Sequence, residues 1–381
     1  MAIEKRVGKD GKPAYRVRIA THDPVTGKRR NVTEGTYRTK KDAERAERDA
    51  LSRRDRGTLL DPSRTTVAEL LDEWLRVKAN DVSPQSHTDY EITCRLHLKP
   101  ALGGVLVQKL TADRVQAQYD AWRGAGLSAR QIRGCHLRLS QALDYAVSRN
   151  VVYANVCRNT TPPRLEPKKP DVWEGDEVKR FIRIAANEPL APLWHLLVLE
   201  GMRRGEALGL RWKDLNWERG TAHVVQTVAP DKTNRGAPII QNRTKTRAAS
   251  RSVKLTGETL ALLKDHRKSQ TERRLAASEW HDFDLIVCTS KGTPINPNNV
   301  SRSFEVLVKR ASLRRIRVHD LRHTHATLLL KQGMPAKVVS ERLGHASIAI
   351  TLDTYSHVLP DMQDAAAEAI SSILALPADH G

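Results

Sequence analysis

The N-terminal part of the chain alternates apolar and basic positions and then changes to helical spacing. Residues 14–20 (AYRVRIA) show the period of two that is typical of a half-buried β-strand. A turn sequence follows over residues 23–28, and residues 29–33 predict the partner strand. Thr39 is expected to cap the helix that comes next. The pattern therefore predicts a small α+β domain over residues 1–64.

The next stretch has helical periodicity throughout. Thr66 and Glu69 form a capping-box sequence, and the apolar residues after it recur at helical spacing. Further helix starts are predicted at Ser83, Thr111 and Ser128. These signals predict an all-α domain over residues 65–159. Residues 160–170 hold four prolines among basic residues, which predicts a stiff linker and a domain boundary.

Residues 171–381 are predicted to be mainly helical, with one β-rich region. Buried helices are expected at 177–186, 193–199 and 298–310, and an Ala-rich helix is expected at 361–376. Strands are expected at 221–228, 237–246 and 251–255. The predicted fold is therefore multidomain, with a small α+β domain, an all-α domain and a mainly α domain that contains a small antiparallel β-sheet.

The chain is strongly basic, which indicates the kind of partner that it binds. It holds 64 Lys and Arg against 44 Asp and Glu, a formal net charge of +20 in 381 residues. Such an excess predicts a polyanionic partner such as nucleic acid, although a basic protein without that partner is the plain alternative. No signal peptide or membrane span is predicted, so we expect a cytoplasmic protein without a membrane partner.

Cysteine spacing gives no sign of a metal or disulfide framework. Cys94, Cys135, Cys157 and Cys288 form no CxxC pair, so neither a zinc ribbon nor a disulfide scaffold is predicted.

Four reactive side chains near the C-terminus fall on three short predicted elements. His319 and Arg322 are one helical turn apart and share a face. His345 follows a second short helix, and Tyr355 lies near the end of a third. A guanidinium suits the non-bridging oxygens of a phosphodiester, an imidazole moves protons, and a phenol can attack phosphorus. The set predicts chemistry on a phosphodiester.

The spacing of these residues resembles the C-terminal motif of the tyrosine recombinases, the phage-integrase family. His319-x-x-Arg322, then Leu343-Gly344-His345, then Tyr355 stand in the family's order. The family also carries an Arg in a Thr/Glu-Gly-x-Arg-x-x-Glu stretch further upstream. That stretch is similar to residues 200–206 here (EGMRRGE), which places the Arg at Arg203.

The family's catalytic Lys stands on a β-hairpin, and Lys245-Thr246 resembles its position. An Arg-x-Val-x-Leu strand follows this dipeptide, as in the family. Lys232, in a comparable Lys-Thr dipeptide, is the competing candidate.

The resemblance implies cleavage and rejoining of DNA through a 3′-phosphotyrosyl intermediate. The implied catalytic residues are Arg203, Lys245, His319, Arg322, His345 and Tyr355. Glu206 is expected to orient the phosphate-binding Arg203. No nucleotide cofactor is expected, because one phosphodiester is exchanged for another of nearly equal energy. No metal is expected, because the set consists of Arg, His and Lys residues without an acidic cluster.

The resemblance also implies DNA-binding roles for the N-terminal domains. Residues 1–64 resemble an arm-DNA-binding domain, residues 65–159 a core-DNA-binding domain, and residues 171–381 a catalytic domain with a C-terminal helix. The implied partners are double-stranded attachment sites of core and arm type, bound by a tetramer, with a DNA-bending accessory protein or directionality factor. Candidate DNA contacts are Arg16, Arg18, Lys28, Arg29, Arg30, Arg130, Arg133, Arg138, Lys168 and Lys169.

Alternatives from other classes stay open at the level of sequence. His319 to His323 has the outline of an HExxH zinc motif with Asp for Glu, but Arg322 would lie on the ligand face and repel a cation. A non-catalytic DNA-binding regulator would not need Tyr355 beside both Arg residues. A type IB topoisomerase shares the chemistry, whereas the N-terminal domains favour recombination. For the basic sheet and helices, a solvated face is the plain alternative.

Overall fold

The computed structural model describes residues 3–7, 12–22, 29–55, 60, 62–166, 170–231, 234, 236–242, 251–356 and 370–371. The chain divides into two compact units, Met1–Pro167 and Lys168–Gly381. None of the helices within these described ranges has the length and apolar character needed to span a bilayer.

The first unit begins with a three-stranded antiparallel sheet and one helix. The strands β1 (Ile3–Val7), β2 (Pro13–His22) and β3 (Arg29–Tyr37) pair in the order β1-β2-β3, and α1 (Lys40–Asp55) follows. Val17 and Ile19 of β2 pack against the alanines of α1. Thr39 caps α1 as predicted, because its Oγ1 accepts a hydrogen bond from the Asp42 amide at 3.1 Å.

The strand β1 was missed by the sequence analysis, which predicted only a two-stranded ribbon. It is an edge strand with one partly buried and four exposed residues, so its sequence (IEKRV) shows no alternation. Arg16 and Arg18 lie on β2 on the face opposite to Val17, because successive strand residues point to opposite faces.

The remainder of the first unit is helical, as predicted. Its helices are α2 (Val67–Lys78), α3 (Pro84–Thr93), a π-helical turn (Cys94–Leu98), α4 (Lys99–Leu102), α5 (Ala112–Gly124) and α6 (Ala129–Ser148). The caps at Thr66, Ser83, Thr111 and Ser128 all form. One apolar core, which includes Trp74, Tyr119 and Leu139, joins these helices.

The second unit is mainly helical. Its helices are α7 (Gly175–Ala185), α8 (Ala191–Val198), α9 (Arg204–Gly209), α10 (Gly257–Ala276), α11 (Pro297–Arg310), α12 (Asp320–Lys331), α13 (Ala336–Leu343) and α14 (Ile348–Tyr355). Four fully buried aromatic rings pack against one another in its core: Trp173, which precedes α7, Phe181 of α7, Trp194 of α8 and Phe304 of α11.

Two small antiparallel sheets lie in this unit. Their strands are β4 (Leu215–Asn216), β5 (Thr221–Val224), β6 (Gln226–Asp231), β7 (Ala237–Asn242) and β8 (Arg251–Lys254), paired as β4-β5-β8 and β6-β7. The prediction of one strand over 221–228 was wrong, since Val225 separates two strands that join different sheets.

The described strands on either side of the predicted Lys245 hairpin have other partners, since β7 pairs with β6 and β8 pairs with β5. Residues 243–250, which include the predicted hairpin tip, lie outside the described residues. Lys245 itself and Lys232 lie outside the described residues, and so does the predicted helix at 361–376 apart from residues 370–371.

Candidate active site

Arg203 is positioned by a sharp turn between α8 and α9. Gly201 adopts a left-handed conformation with φ +65°, and a Cβ there would lie 2.5 Å from His325 Cδ2. Only glycine fits this position without displacing the buried imidazole. The turn leaves Arg203 as the N-cap residue of α9, with its side chain about one-third exposed.

A single buried carboxylate holds Arg203 in place. Glu206 Oε1 accepts a hydrogen bond from Arg203 Nη1 at 2.8 Å, and Glu206 also accepts two from Arg251 at 2.7 and 3.1 Å. Burial alone would raise the pKa of Glu206, but its hydrogen bonds and ion pairs with Arg251 and Arg203 outweigh burial and lower it to about 2. Glu206 is therefore ionised and orients both guanidinium groups.

Arg322 lies deeper and joins two segments that are distant in sequence. It is 3% exposed and donates to the Gly201 carbonyl oxygen at 2.8 Å and to the Leu343 carbonyl oxygen. Burial lowers the pKa of Arg322 to about 9, and the charge of Arg203 acts in the same direction. The group therefore stays cationic at neutral pH.

The turn after α13 presents His345. Gly344 ends the helix in a left-handed conformation, and its carbonyl oxygen accepts a hydrogen bond from Arg203 Nη2 at 3.1 Å. His345 Nδ1 lies 2.8 Å from the hydroxyl of Thr351, which is fully buried in α14. Burial, with the charges of Arg322 and Arg203, lowers the pKa of His345 to about 4.

Tyr355 ends α14 and contacts His323 of α12. Its hydroxyl lies 2.6 Å from His323 Nδ1, and the side chain is almost fully buried. The ring of His323 meets that of His319 edge-on, with centroids 5.1 Å apart. Burial raises the pKa of Tyr355 to about 12, although Arg322 opposes this change. The phenol is therefore protonated at neutral pH.

The site has an excess of positive charge. Three guanidinium groups, those of Arg203, Arg251 and Arg322, surround one carboxylate, that of Glu206. Partial burial and the charge of Arg322 also lower the pKa of His319. Such a cluster favours an anion between the guanidinium groups and the Tyr355 hydroxyl, and a phosphodiester has the charge and the acceptor oxygens that it requires.

A second buried ion pair fixes the walls of the site. Arg342 donates to Glu200 Oε2 at 2.6 Å and to His325 Nε2 at 3.0 Å. His325 Nδ1 contacts the Val198 carbonyl oxygen at 3.0 Å, and burial lowers its pKa to about 3. These contacts join α8, α12 and α13, which carry the segments that Arg322 bridges.

Several of these residues were not in the predicted set. His323 stood in the HDLRH sequence but was weighed only as a possible zinc ligand, and Arg251 was assigned only to a strand. Glu200 lay inside the upstream motif without a role, and Arg342 gave no signal. Across the described part of the chain, no group of three or more His, Cys, Asp or Glu side chains is arranged to hold a metal ion.

The candidate DNA-contacting residues have different environments. Arg18 and Arg29 are exposed on the N-terminal sheet and Arg130 is exposed on α6, whereas Arg16 is only partly exposed. Arg133 donates to the Pro163 carbonyl oxygen at 3.3 Å, and Arg138 stacks on Tyr90 at 3.9 Å from the ring centroid. Outside the described residues lie Lys28, Lys168, Lys169 and the side chain of Arg30.

Three family models match the chain. The model of the phage integrase family matches residues 172–362, which is half of the chain. The chain belongs to the phage integrase family. An N-terminal SAM-like domain of phage integrases matches residues 66–123, and an arm DNA-binding domain matches residues 4–53. This member of the family is a tyrosine-type site-specific DNA recombinase.

Relatives of this integrase cover most of its length. It is 28% identical over 391 residues to a XerC-like tyrosine recombinase of Caldanaerobacter subterraneus subsp. tengcongensis. The aligned region covers 98% of this chain and 100% of the relative. It is 27% identical to the ICEBs1 integrase of Bacillus subtilis over 77% of this chain and 79% of that protein.

Solved structures share the fold. The Tn1549 transposon integrase, in complex with a circular intermediate DNA, gives a TM-score of 0.68 at 20% identity over 80% of this chain and 99% of that one. A lambda integrase dimer on a COC′ core site gives 0.57 at 18% identity over 92% and 93%. The predicted multidomain fold is confirmed.

Proposed function

We propose that this integrase cuts DNA by attack of Tyr355 on a backbone phosphorus, which forms a 3′-phosphotyrosyl bond and frees a 5′-hydroxyl. A 5′-hydroxyl from another strand then reverses the step and joins new partners. The observation that carries the proposal is the electrostatic contact of the Tyr355 hydroxyl with Arg322, whose own charge is coupled to those of Arg203 and Arg251. Glu206 supplies one negative charge to these three cations, so a phosphodiester would lower the cost of burying the remaining positive charge.

Arg203 and Arg322 are proposed to stabilise the charge that grows on the non-bridging oxygens. Both are already oriented, Arg203 by Glu206 and Arg322 by two backbone carbonyl oxygens, so little reorganisation is needed at the transition state. His345 would donate from Nε2 to one of these oxygens when the Thr351 hydroxyl donates to its Nδ1. His319 would take a proton or hold the phosphate.

Lys245 is proposed to protonate the leaving 5′-oxygen. An alkoxide is a poor leaving group, and general acid catalysis contributes about 10²–10⁴-fold. The support for this role is the resemblance of the Lys245-Thr246 dipeptide and the following β8 sequence to the family pattern.

The domain roles are also proposals. Residues 1–64 would bind arm sites, residues 65–159 would bind core sites, residues 160–170 would link them to the catalytic domain, and residues 171–381 would cut. The arm DNA-binding match supports the first role. Lambda integrase, whose fold is similar, has been solved as a tetramer bound to a Holliday junction, which supports a tetramer here. A DNA-bending or directionality factor would complete the complex.

The test is a covalent trap. The full-length protein is incubated with fragmented DNA of the host and of the mobile element, denatured, and the attached DNA ends are sequenced to define the site. Tyr355→Phe should bind a duplex of that site with near-normal affinity and form no adduct. Tyr153→Phe is the matched control, because Tyr153 is 61% exposed and should leave adduct formation unchanged. An adduct that persists with Tyr355→Phe would overturn the assignment.

A further inference from the structure

His323 is a residue of α12 that contacts the attacking atom. Its Nδ1 lies 2.6 Å from the Tyr355 hydroxyl, a distance typical of a short O–H···N hydrogen bond. The two rings are tilted with centroids 5.6 Å apart, so the contact is made by the hydroxyl and not by ring stacking. Among the described residues, the Tyr355 hydroxyl forms its hydrogen bond with His323.

The protonation states make the hydrogen bond directional. Burial, with the neighbouring His319, lowers the pKa of His323 to about 4, so the imidazole is neutral at neutral pH. Because the phenol is protonated, it donates to Nδ1, and the ring proton of His323 is then on Nε2. The lone pair of Nδ1 therefore points at the proton that has to leave when Tyr355 attacks.

We propose that His323, and not His319, is the base that removes the proton from Tyr355 during cleavage. This inference rests on Tyr355 being the nucleophile. As the Tyr355 Oη–P bond forms and the P–O5′ bond breaks, the phenolic proton passes to His323 Nδ1 and the leaving O5′ takes a proton from the general acid proposed at Lys245. Rejoining runs in reverse, and His323 returns the proton to the phenol.

The acidity of the Tyr355 phenol and the basicity of the His323 imidazole determine when the proton is transferred. A neutral phenol does not give its proton to a weak base before attack, but the oxygen becomes strongly acidic as it bonds to phosphorus. The transfer is therefore concerted with attack. A phosphate anion in the site also favours the imidazolium, because an opposite charge nearby raises the pKa of a histidine. With His323 as the base, His319 is left to bind the phosphate.

The experiment measures the cleavage rates of His323→Gln, His323→Ala and His319→Gln on a duplex of the site that the covalent trap defines. Each variant is first shown to have the same thermal unfolding as the wild type. Glutamine keeps a hydrogen-bond acceptor for Tyr355 but does not take the proton. Both His323 variants should cut about 10²–10⁴-fold more slowly. If His323→Gln cuts at the normal rate, or if His323→Ala cuts faster than the wild type, the residue only holds the phenol and the proposal is wrong.

A second measurement separates a base from a structural residue. Replacing Tyr355 by 3-fluorotyrosine lowers the pKa of the phenol, so loss of the base should matter less. The rate ratio of wild type to His323→Gln should shrink with the fluorinated nucleophile and should stay unchanged on a substrate with 5′-bridging sulfur. An unchanged ratio with fluorotyrosine, or one that shrinks for His319→Gln instead, overturns the proposal. An adduct with Tyr355→Phe would instead show that the nucleophile is wrong.

Discussion

Glu206 is the residue on which the arginines of the site depend. Its side chain is completely buried, yet it carries a charge that two guanidinium groups share. Removal of one partner from a buried ion pair leaves an uncompensated charge and is far more costly than loss of a surface pair. Here the uncompensated charges would be Arg203 and Arg251, so a change at Glu206 affects stability and phosphate binding together.

We expect Glu206→Gln to lower stability in a pH-dependent way. Folding lowers the pKa of Glu206 from 4.5 to about 2, so the carboxylate adds stability above pH 4.5 that is lost as the pH falls towards 2. The difference corresponds to about 3 kcal/mol. Denaturant unfolding should show a constant gap between wild type and variant above pH 5, and the gap should narrow below pH 4.5.

The control for this prediction is Glu305→Gln. Glu305 pairs with Arg315 on the surface, where both side chains are more than half exposed, so its loss should change stability little at any pH. A Glu206→Gln gap that stays the same at pH 3 would mean that the charge of Glu206 does not carry the stability.

Local sequence predicted the residues that stand in motifs but not the contacts between them. Arg203, His319, Arg322, His345 and Tyr355 were all named from their resemblance to the family's motifs. The contact of His323 with Tyr355 crosses 32 residues, and that of Arg251 with Glu206 crosses 45. Such contacts depend on how α12 packs on α14 and how β8 approaches α9, which no local pattern encodes.

Lys245 is tested by the chemistry of the leaving group. Lys245→Ala should cut normal DNA about 10²–10⁴-fold more slowly, because the alkoxide lacks a proton donor. A 5′-bridging sulfur leaves without protonation, so the variant should recover on that substrate. Arg203→Ala is the matched control and should not recover, since its guanidinium acts on non-bridging oxygens. Recovery of Lys232→Ala instead would move the role to Lys232.

At the level of elements, the α13–α14 turn depends on one glycine. A Cβ on Gly344 would lie 2.7 Å from Arg251 Cδ, and Arg251 is held by Glu206 and by the Arg342 carbonyl oxygen. Gly344→Ala should therefore shift Arg251 and reduce strand cleavage at least tenfold, in addition to the cost of left-handed strain, about 1 kcal/mol.

Gly333 provides the matched control for that variant. It follows α12 with φ +76°, and a Cβ there would meet nothing within 4 Å. Gly333→Ala should carry the same backbone strain and leave cleavage nearly unchanged. Equal losses of cleavage in the two variants, measured on the same site duplex, would show that strain and not the contact with Arg251 is responsible.

The prediction of helices and strands succeeded where the signal was local and failed where the structure depends on which strands pair. The caps at Thr66, Ser128 and Ser347 form because each side chain bonds an amide two or three residues ahead. By contrast, the split of β5 from β6 depends on which distant strand each one meets. The apolar pair Val224-Val225 and the polar pair Gln226-Thr227 interrupt the alternation there, but this local irregularity does not say which strand each half will meet.

At the level of the whole molecule, the positive charge is spread over units that match different family models. The N-terminal sheet presents Arg16, Arg18 and Arg29 on the face away from α1. We propose that this basic face of the three-stranded sheet contacts arm-site DNA, a role that the match to an arm DNA-binding domain supports. The opposite side of the same domain carries exposed arginines on α1, Arg45 and Arg48.

This difference between two sides of one domain gives a test in the full-length chain. Each phosphate contact removed should lower the salt slope of binding by about 0.9. A triple change of Arg16, Arg18 and Arg29 to Gln should weaken binding to full-length attachment DNA, reduce the slope by up to about 2.7, and leave binding to a core duplex unchanged. The double change of Arg45 and Arg48 to Gln should leave both slopes as they are. If the sheet variant and the α1 variant weaken binding to full-length DNA equally, the domain contributes only diffuse charge. A contact in the groove would instead make the sheet arginines matter more than those of α1.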